Sequence, residues 1–119
     1  MIEATCHCGV VRITIPRKPR QLTSCNCSIC RRYGTLWAYY KAKEVSVRSA
    51  RGATTSYSWG DRFLRFVRCN TCGCITHWEP LQLKSDSRIG VNTRNFEPSA
   101  LGEVRVRRFD GAATWKFLD

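Results

Sequence analysis

The sequence predicts a mainly β domain of short antiparallel strands in which bound metal supplements a modest core. Three observations carry that prediction. Apolar and polar residues alternate in short runs, the period of half-buried strands. No helix-period segment exceeds about ten residues, and there is no internal repeat or low-complexity tract. Eight cysteines fall into three tight clusters. A chain of 119 residues buries only about two-thirds of the surface its unfolded form exposes, so cross-links add what the core cannot. No stretch reads as a linker, and residues 1–119 are expected to form one domain.

The elements follow in order. VVRITI (Val10 to Ile15) sets Val11, Ile13 and Ile15 on one face and Arg12 and Thr14 on the other, until Pro16 and Pro19 end the pairing. TLWAYY and EVSVR are the next strand candidates. TTSYSW groups Thr55, Tyr57 and Trp59; Gly60-Asp61 then turns the chain, and FLRFV runs straight into Cys69, which together predict a hairpin. Near the end, EVRVRRF alternates Val104 and Val106 against Glu103, Arg105 and Arg107, the pattern of a solvated strand face rather than a nucleic-acid stripe.

The clusters are Cys6-His7-Cys8-Gly9, Cys25-Asn26-Cys27-Ser28-Ile29-Cys30 and Cys69-Asn70-Thr71-Cys72-Gly73-Cys74. In extended chain, residues i and i+2 point the same way, so Cys6 with Cys8, and Cys25 with Cys27, can aim both sulfurs at one ion. A Cys-x-x-Cys turn converges equally well, and Gly9 and Gly73 permit the positive φ that such knuckles adopt. Thiolate-rich tetrahedral sites select zinc or iron–sulfur, and these spacings match no ferredoxin run, which points to zinc. A purely redox role would give isolated cysteines or a single Cys-x-x-Cys. Spacing alone leaves the pairing open. Joining Cys6 and Cys8 to Cys69 and Cys72 would close a four-sulfur structural site and leave Cys25, Cys27 and Cys30, with Cys74 unassigned. Three protein ligands and an open position is the usual arrangement of catalytic zinc.

The chain begins MIEATCHCGVV, where Glu3 and Cys6 interrupt any signal-peptide core, and no apolar run is long enough to span a bilayer. A cytoplasmic setting is expected, where clustered thiols stay reduced and serve metals more often than disulfides. The formal net charge is +11; eight thiolates and two zinc ions would bring it to about +7. That balance favours anionic partners, either a small carboxylate-bearing substrate or a nucleic-acid backbone.

CHCG near the start, CNCSICRR about twenty residues on and CNTCGC later resemble the glutathione-dependent formaldehyde-activating enzyme and centromere protein V family. The likeness extends through the VNTR stretch (Val91 to Arg94) to the terminal RRFDGA (Arg107 to Ala112). It implies a β-tent of small sheets, a structural zinc held by Cys6, Cys8, Cys69 and Cys72, and a second, catalytic zinc held by Cys25, Cys27 and Cys30. It also implies a carbon–sulfur lyase acting on thiol–aldehyde adducts such as S-hydroxymethylglutathione, with glutathione and an aldehyde as partners. The alternative class is a non-enzymatic zinc module whose basic surface binds acidic partners such as nucleic acid; against it, Lys and Arg are spread along the chain rather than clustered.

Other residues take bland readings. Cys74 is either a fourth ligand to the second zinc or a buried small residue. His7 alternates away from its flanking thiols, and His77 suits a strand histidine with satisfied nitrogens. Arg31 and Arg32 either receive a substrate carboxylate or lie solvated. Trp37, Tyr39, Trp59 and Trp78 are expected in the core.

Overall fold

Val11, Ile13 and Ile15 are fully sealed from solvent in a computed structural model describing residues 1–119, while Arg12 between them is exposed. They lead into and occupy β2 (Arg12–Ile15). This strand pairs antiparallel with β1 (Ile2–Thr5) on one side and β5 (Ser46–Arg48) on the other, making a three-stranded sheet. Thr14, expected outside, is buried as well, its hydroxyl donating to Glu3 Oε1 at 3.5 Å.

A second sheet holds seven strands in the order β10-β3-β4-β9-β8-β7-β6. These are β3 (Gln21–Cys25), β4 (Trp37–Lys41), β6 (Thr54–Tyr57), β7 (Leu64–Cys69), β8 (Ile75–Pro80), β9 (Arg88–Asn92) and β10 (Arg105–Phe109). Two short helices complete the fold, α1 (Ser28–Tyr33) and α2 (Pro98–Leu101). The main core lies between the sheets: Ala4, Ile13 and Ile15 of the small one pack with Leu22, Ala38, Tyr40, Ile89 and Val91 of the large one, and Leu101 of α2 joins them.

The predicted hairpin is present as β6 and β7, with Tyr57 opposite Phe66 and Thr54 opposite Cys69. The C-terminal strand differs from expectation in two ways. β10 runs parallel to β3, the one parallel pair in a sheet otherwise antiparallel. Its alternation is also not a solvated face against a buried one. Val106 is exposed, whereas Arg107 is half-buried with its guanidinium 3.9 Å from the Phe117 ring centroid, and only Val104 packs on the core. β10 is an edge strand covered by the residues that follow it, so period two in its sequence does not report a single buried face.

Candidate metal centres and the adjoining cavity

The first centre joins the two sheets. Cys6 and Cys8 lie in the loop leaving β1, Cys69 ends β7, and Cys72 sits in the turn to β8. Their four sulfurs all lie within 4.8 Å of one another; Cys6 to Cys8 is 3.7 Å and Cys8 to Cys69 is 3.5 Å. A tetrahedral zinc with bonds of about 2.3 Å separates its sulfurs by about 3.8 Å, so the cage fits that ion.

The two knuckles are built alike. Cys6 N–H donates to Val11 and Cys69 N–H to Cys74, each at 3.0 Å, while Gly9 and Gly73 bond back to the carbonyls of Cys6 and Cys69. Both glycines take positive φ, +85° and +77°, where a side chain would strain the turn. Backbone N–H groups also point at the sulfurs, from Val11 to Cys6 and from Thr71 to Cys69. Burial alone would raise the Cys72 thiol, but the Cys74 and Cys8 backbone and the neighbouring thiols hold it down to about 5. Cys74 itself packs beside Cys6, Cys69 and Cys72. It belongs to the surroundings of this cluster, so it is not a fourth ligand of the second. His7 is exposed.

The second centre gathers Cys25, at the end of β3, Cys27, the N-cap of α1, and Cys30 within α1; their sulfurs also lie within 4.8 Å of one another, and no fourth Cys, His, Asp or Glu joins them. Cys27 Sγ accepts from Cys30 N–H at 3.4 Å, and Gly34 ends the helix with its N–H on the Cys30 carbonyl. The Trp37 indole N–H donates to Cys30 Sγ at 3.3 Å. The Cys25 thiol is lowered to about 6, chiefly by its hydrogen bond with Cys30 and further by the backbone of Cys27 and Gly111, against the effect of burial. The Cys25 hydrogen bond and burial push Cys30 the other way.

Residues 110–119 form a strap fastened to this centre at Asn26, between two of its cysteines. Asn26 donates to Asp110 Oδ1 and accepts from Ala112 N–H, both at 3.0 Å. The strap's Gly111 passes so close that a Cβ there would lie 2.6 Å from Cys25 Sγ. Sequence reasoning had no pattern to flag Asn26 or Gly111 beyond the likeness of the RRFDGA ending.

A cavity of about 420 Å³ opens onto the second cluster, lined by sixteen residues of which thirteen are hydrophobic. Trp37, Tyr39, Trp59 and Trp78 all contribute to its wall, as does Trp115 from the strap. This corrects the expectation that the first four form core: only Trp37 is sealed in, whereas Trp59 is 42% exposed. Gly90 of β9 lies beneath the Trp78 ring, where any Cβ would collide with the indole. Arg31 and Arg32 lie outside this wall, exposed, with Arg32 donating to the Ser28 carbonyl of its own helix. On the other face of β8, His77 is buried with both nitrogens engaged, to Thr76 Oγ1 at 2.8 Å and Glu79 Oε1 at 3.0 Å, as a satisfied strand histidine.

A family model described as glutathione-dependent formaldehyde-activating enzyme matches residues 1–106. The chain belongs to that family. It is also similar to a Rhodobacter sphaeroides protein of known crystal structure, at 31% identity and a TM-score of 0.70, covering 88% of this chain and 99% of the other. Both metal-capable clusters fall within the family match, whereas Phe109, Gly111 and Trp115 of the cavity lie beyond it. No helix is long and apolar enough to cross a membrane.

Proposed function

We propose that the protein is a zinc-dependent enzyme of carbon–sulfur lyase type, interconverting a thiol and an aldehyde with their S-hydroxyalkyl adduct. The family description, which names glutathione and formaldehyde, supports an adduct of the S-hydroxymethylglutathione type as substrate, and clustered thiols suit the reducing cytoplasm. One observation carries the reading: three converging thiols, rather than four, face a ligand-sized cavity. In this reading Cys6, Cys8, Cys69 and Cys72 hold a structural zinc, and Cys25, Cys27 and Cys30 hold a second with one position left for substrate sulfur.

When bound, the second zinc supplies a Lewis acid that lowers the pKa of an incoming thiol. The chain's own residues set up the rest. Trp37 N–H and the Gly111 backbone partly neutralise the Cys30 and Cys25 sulfurs, which leaves the cluster able to accept a further anionic sulfur. The aromatic wall excludes water and holds the aldehyde carbon near that sulfur. A carbon–sulfur bond forms, the carbonyl π pair moves to oxygen, and the proton given up by the thiol ends on the new hydroxyl; the lyase direction reverses each movement.

The test is two-dimensional exchange NMR on formaldehyde and thiol at equilibrium, with zinc-loaded protein and a panel of thiols. Accelerated exchange that disappears in Cys27→Ser supports the enzyme. No acceleration with any thiol, alongside salt-sensitive binding of short duplex DNA, would favour a basic binding module.

A further inference from the structure

Glutathione carries two carboxylates, and a site built for it needs cations to receive them. The sixteen residues around the cavity include no Lys or Arg, although the chain has twenty. The only charged side chain in the wall is Asp61, an acid. Arg88 lies 5.0 Å from the Tyr39 ring centroid but lines a neighbouring depression. What the cavity does offer is aromatic surface. All four tryptophans of the chain face it, and Phe63 and Phe109 extend the wall towards the solvent. Phe109 packs tilted against Trp115 at 5.2 Å and edge-on against Phe117 at 5.1 Å between ring centroids. Of this outer wall, Phe63 lies within the residues matched by the family model, and Phe109 and Trp115 lie beyond them.

We infer that the cavity selects a thiol, and hence an adduct, whose body is uncharged and aromatic or alkyl, in place of an anionic peptide thiol. The inference rests on the reading that the second metal has a position open to substrate sulfur. Apolar walls reward apolar bodies, while a carboxylate placed against them would lose its hydration and meet no Lys or Arg in the wall itself.

Because every tryptophan faces the cavity, intrinsic fluorescence of the zinc-loaded protein reports occupancy without any turnover. The experiment titrates 2-phenylethanethiol, glutathione and the thiol-free 2-phenylethanol. The aromatic thiol is expected to bind at least tenfold more tightly than glutathione. Trp115→Ala, at a position 74% exposed, should weaken the aromatic thiol about tenfold and leave glutathione unchanged. Phe63→Arg, at another exposed position, should move the preference towards glutathione. Equal or tighter binding of glutathione by the native protein overturns the inference while leaving the proposed reaction intact. Equal binding of 2-phenylethanol and 2-phenylethanethiol supports the apolar cavity but sinks the reading of an open metal position. Binding of none of the three overturns both.

Discussion

Gly111 is a glycine because Cys25 occupies the space a side chain would need. Gly111→Ala must push the strap away and withdraw a backbone donor from the Cys25 sulfur, and outer donors to metal ligands are worth about 10–100-fold in affinity. Chelator competition should show a loss in that range at the second centre only. Glu79 gives a pH-dependent counterpart. Its carboxyl is held below the ordinary range, first by the His77 hydrogen bond and then by Arg65 at 3.3 Å. A depressed acid stabilises the fold above its unfolded pKa of about 4.3 and loses that contribution as pH falls through the folded value. Glu79→Gln should therefore cost about 1 kcal/mol at pH 7, with the gap to wild type closing below about pH 4 in urea unfolding. Acid releases metal from both proteins, so the difference between them is the readout. Of these residues the cysteines were legible from spacing, because ligands of one ion must be neighbours in a knuckle. Gly111 and Glu79 were not, since each matters through a contact made far along the chain.

The knuckles act through the elements they join. Cys6 and Cys8 belong to the small sheet's loop and Cys69 and Cys72 to the β7–β8 turn, so their centre ties one sheet to the other. Cys25, Cys27 and Cys30 tie only α1 to the end of β3. Cys69→Ser should cost more than about 4 kcal/mol, as expected for a lost structural metal, whereas Cys27→Ser should remain folded with a single zinc. Thermal unfolding with elemental analysis separates the two, and equal collapse would make both centres structural. The strap is held to the second knuckle through Asn26. Asn26→Ala should raise amide exchange across residues 110–118 without moving the global transition by more than about 1–2 kcal/mol. Alternation in the sequence identified β2, whose Ile13 and Ile15 meet the core, and the Gly60-Asp61 turn identified the β6–β7 hairpin although β6 itself buries no residue. It misjudged β10, whose cover is the chain's own strap, and it placed aromatics in the core that the fold turns towards a cavity.

The whole molecule combines a divided apolar core with two metal-capable clusters, the second of which shares Cys30 with the smaller part of that core. The inter-sheet core and the smaller group of Cys30, Trp37, Phe66 and Ile75 are separate clusters. A third consists of Val11 with Cys6 and Cys69, so the first metal-capable cluster is itself part of a small core. If both clusters hold zinc as proposed, this division predicts that metal is removed in two steps. The second centre has three sulfurs, opens on the cavity and sits among all four tryptophans, so it should lose its ion first, changing fluorescence while far-UV circular dichroism holds. The first has two cysteines only 1% exposed and should resist until a stronger chelator or lower pH strips it; the sheets should then separate, because the thiols of Cys6, Cys8, Cys69 and Cys72 by themselves do not cross-link them. Elemental analysis along the titration should fall from two zinc ions to one at the fluorescence change, and to none at the loss of ellipticity. Coincident transitions would mean that the centres are coupled, and that the strap and its cavity are as necessary to the fold as the inter-sheet staple.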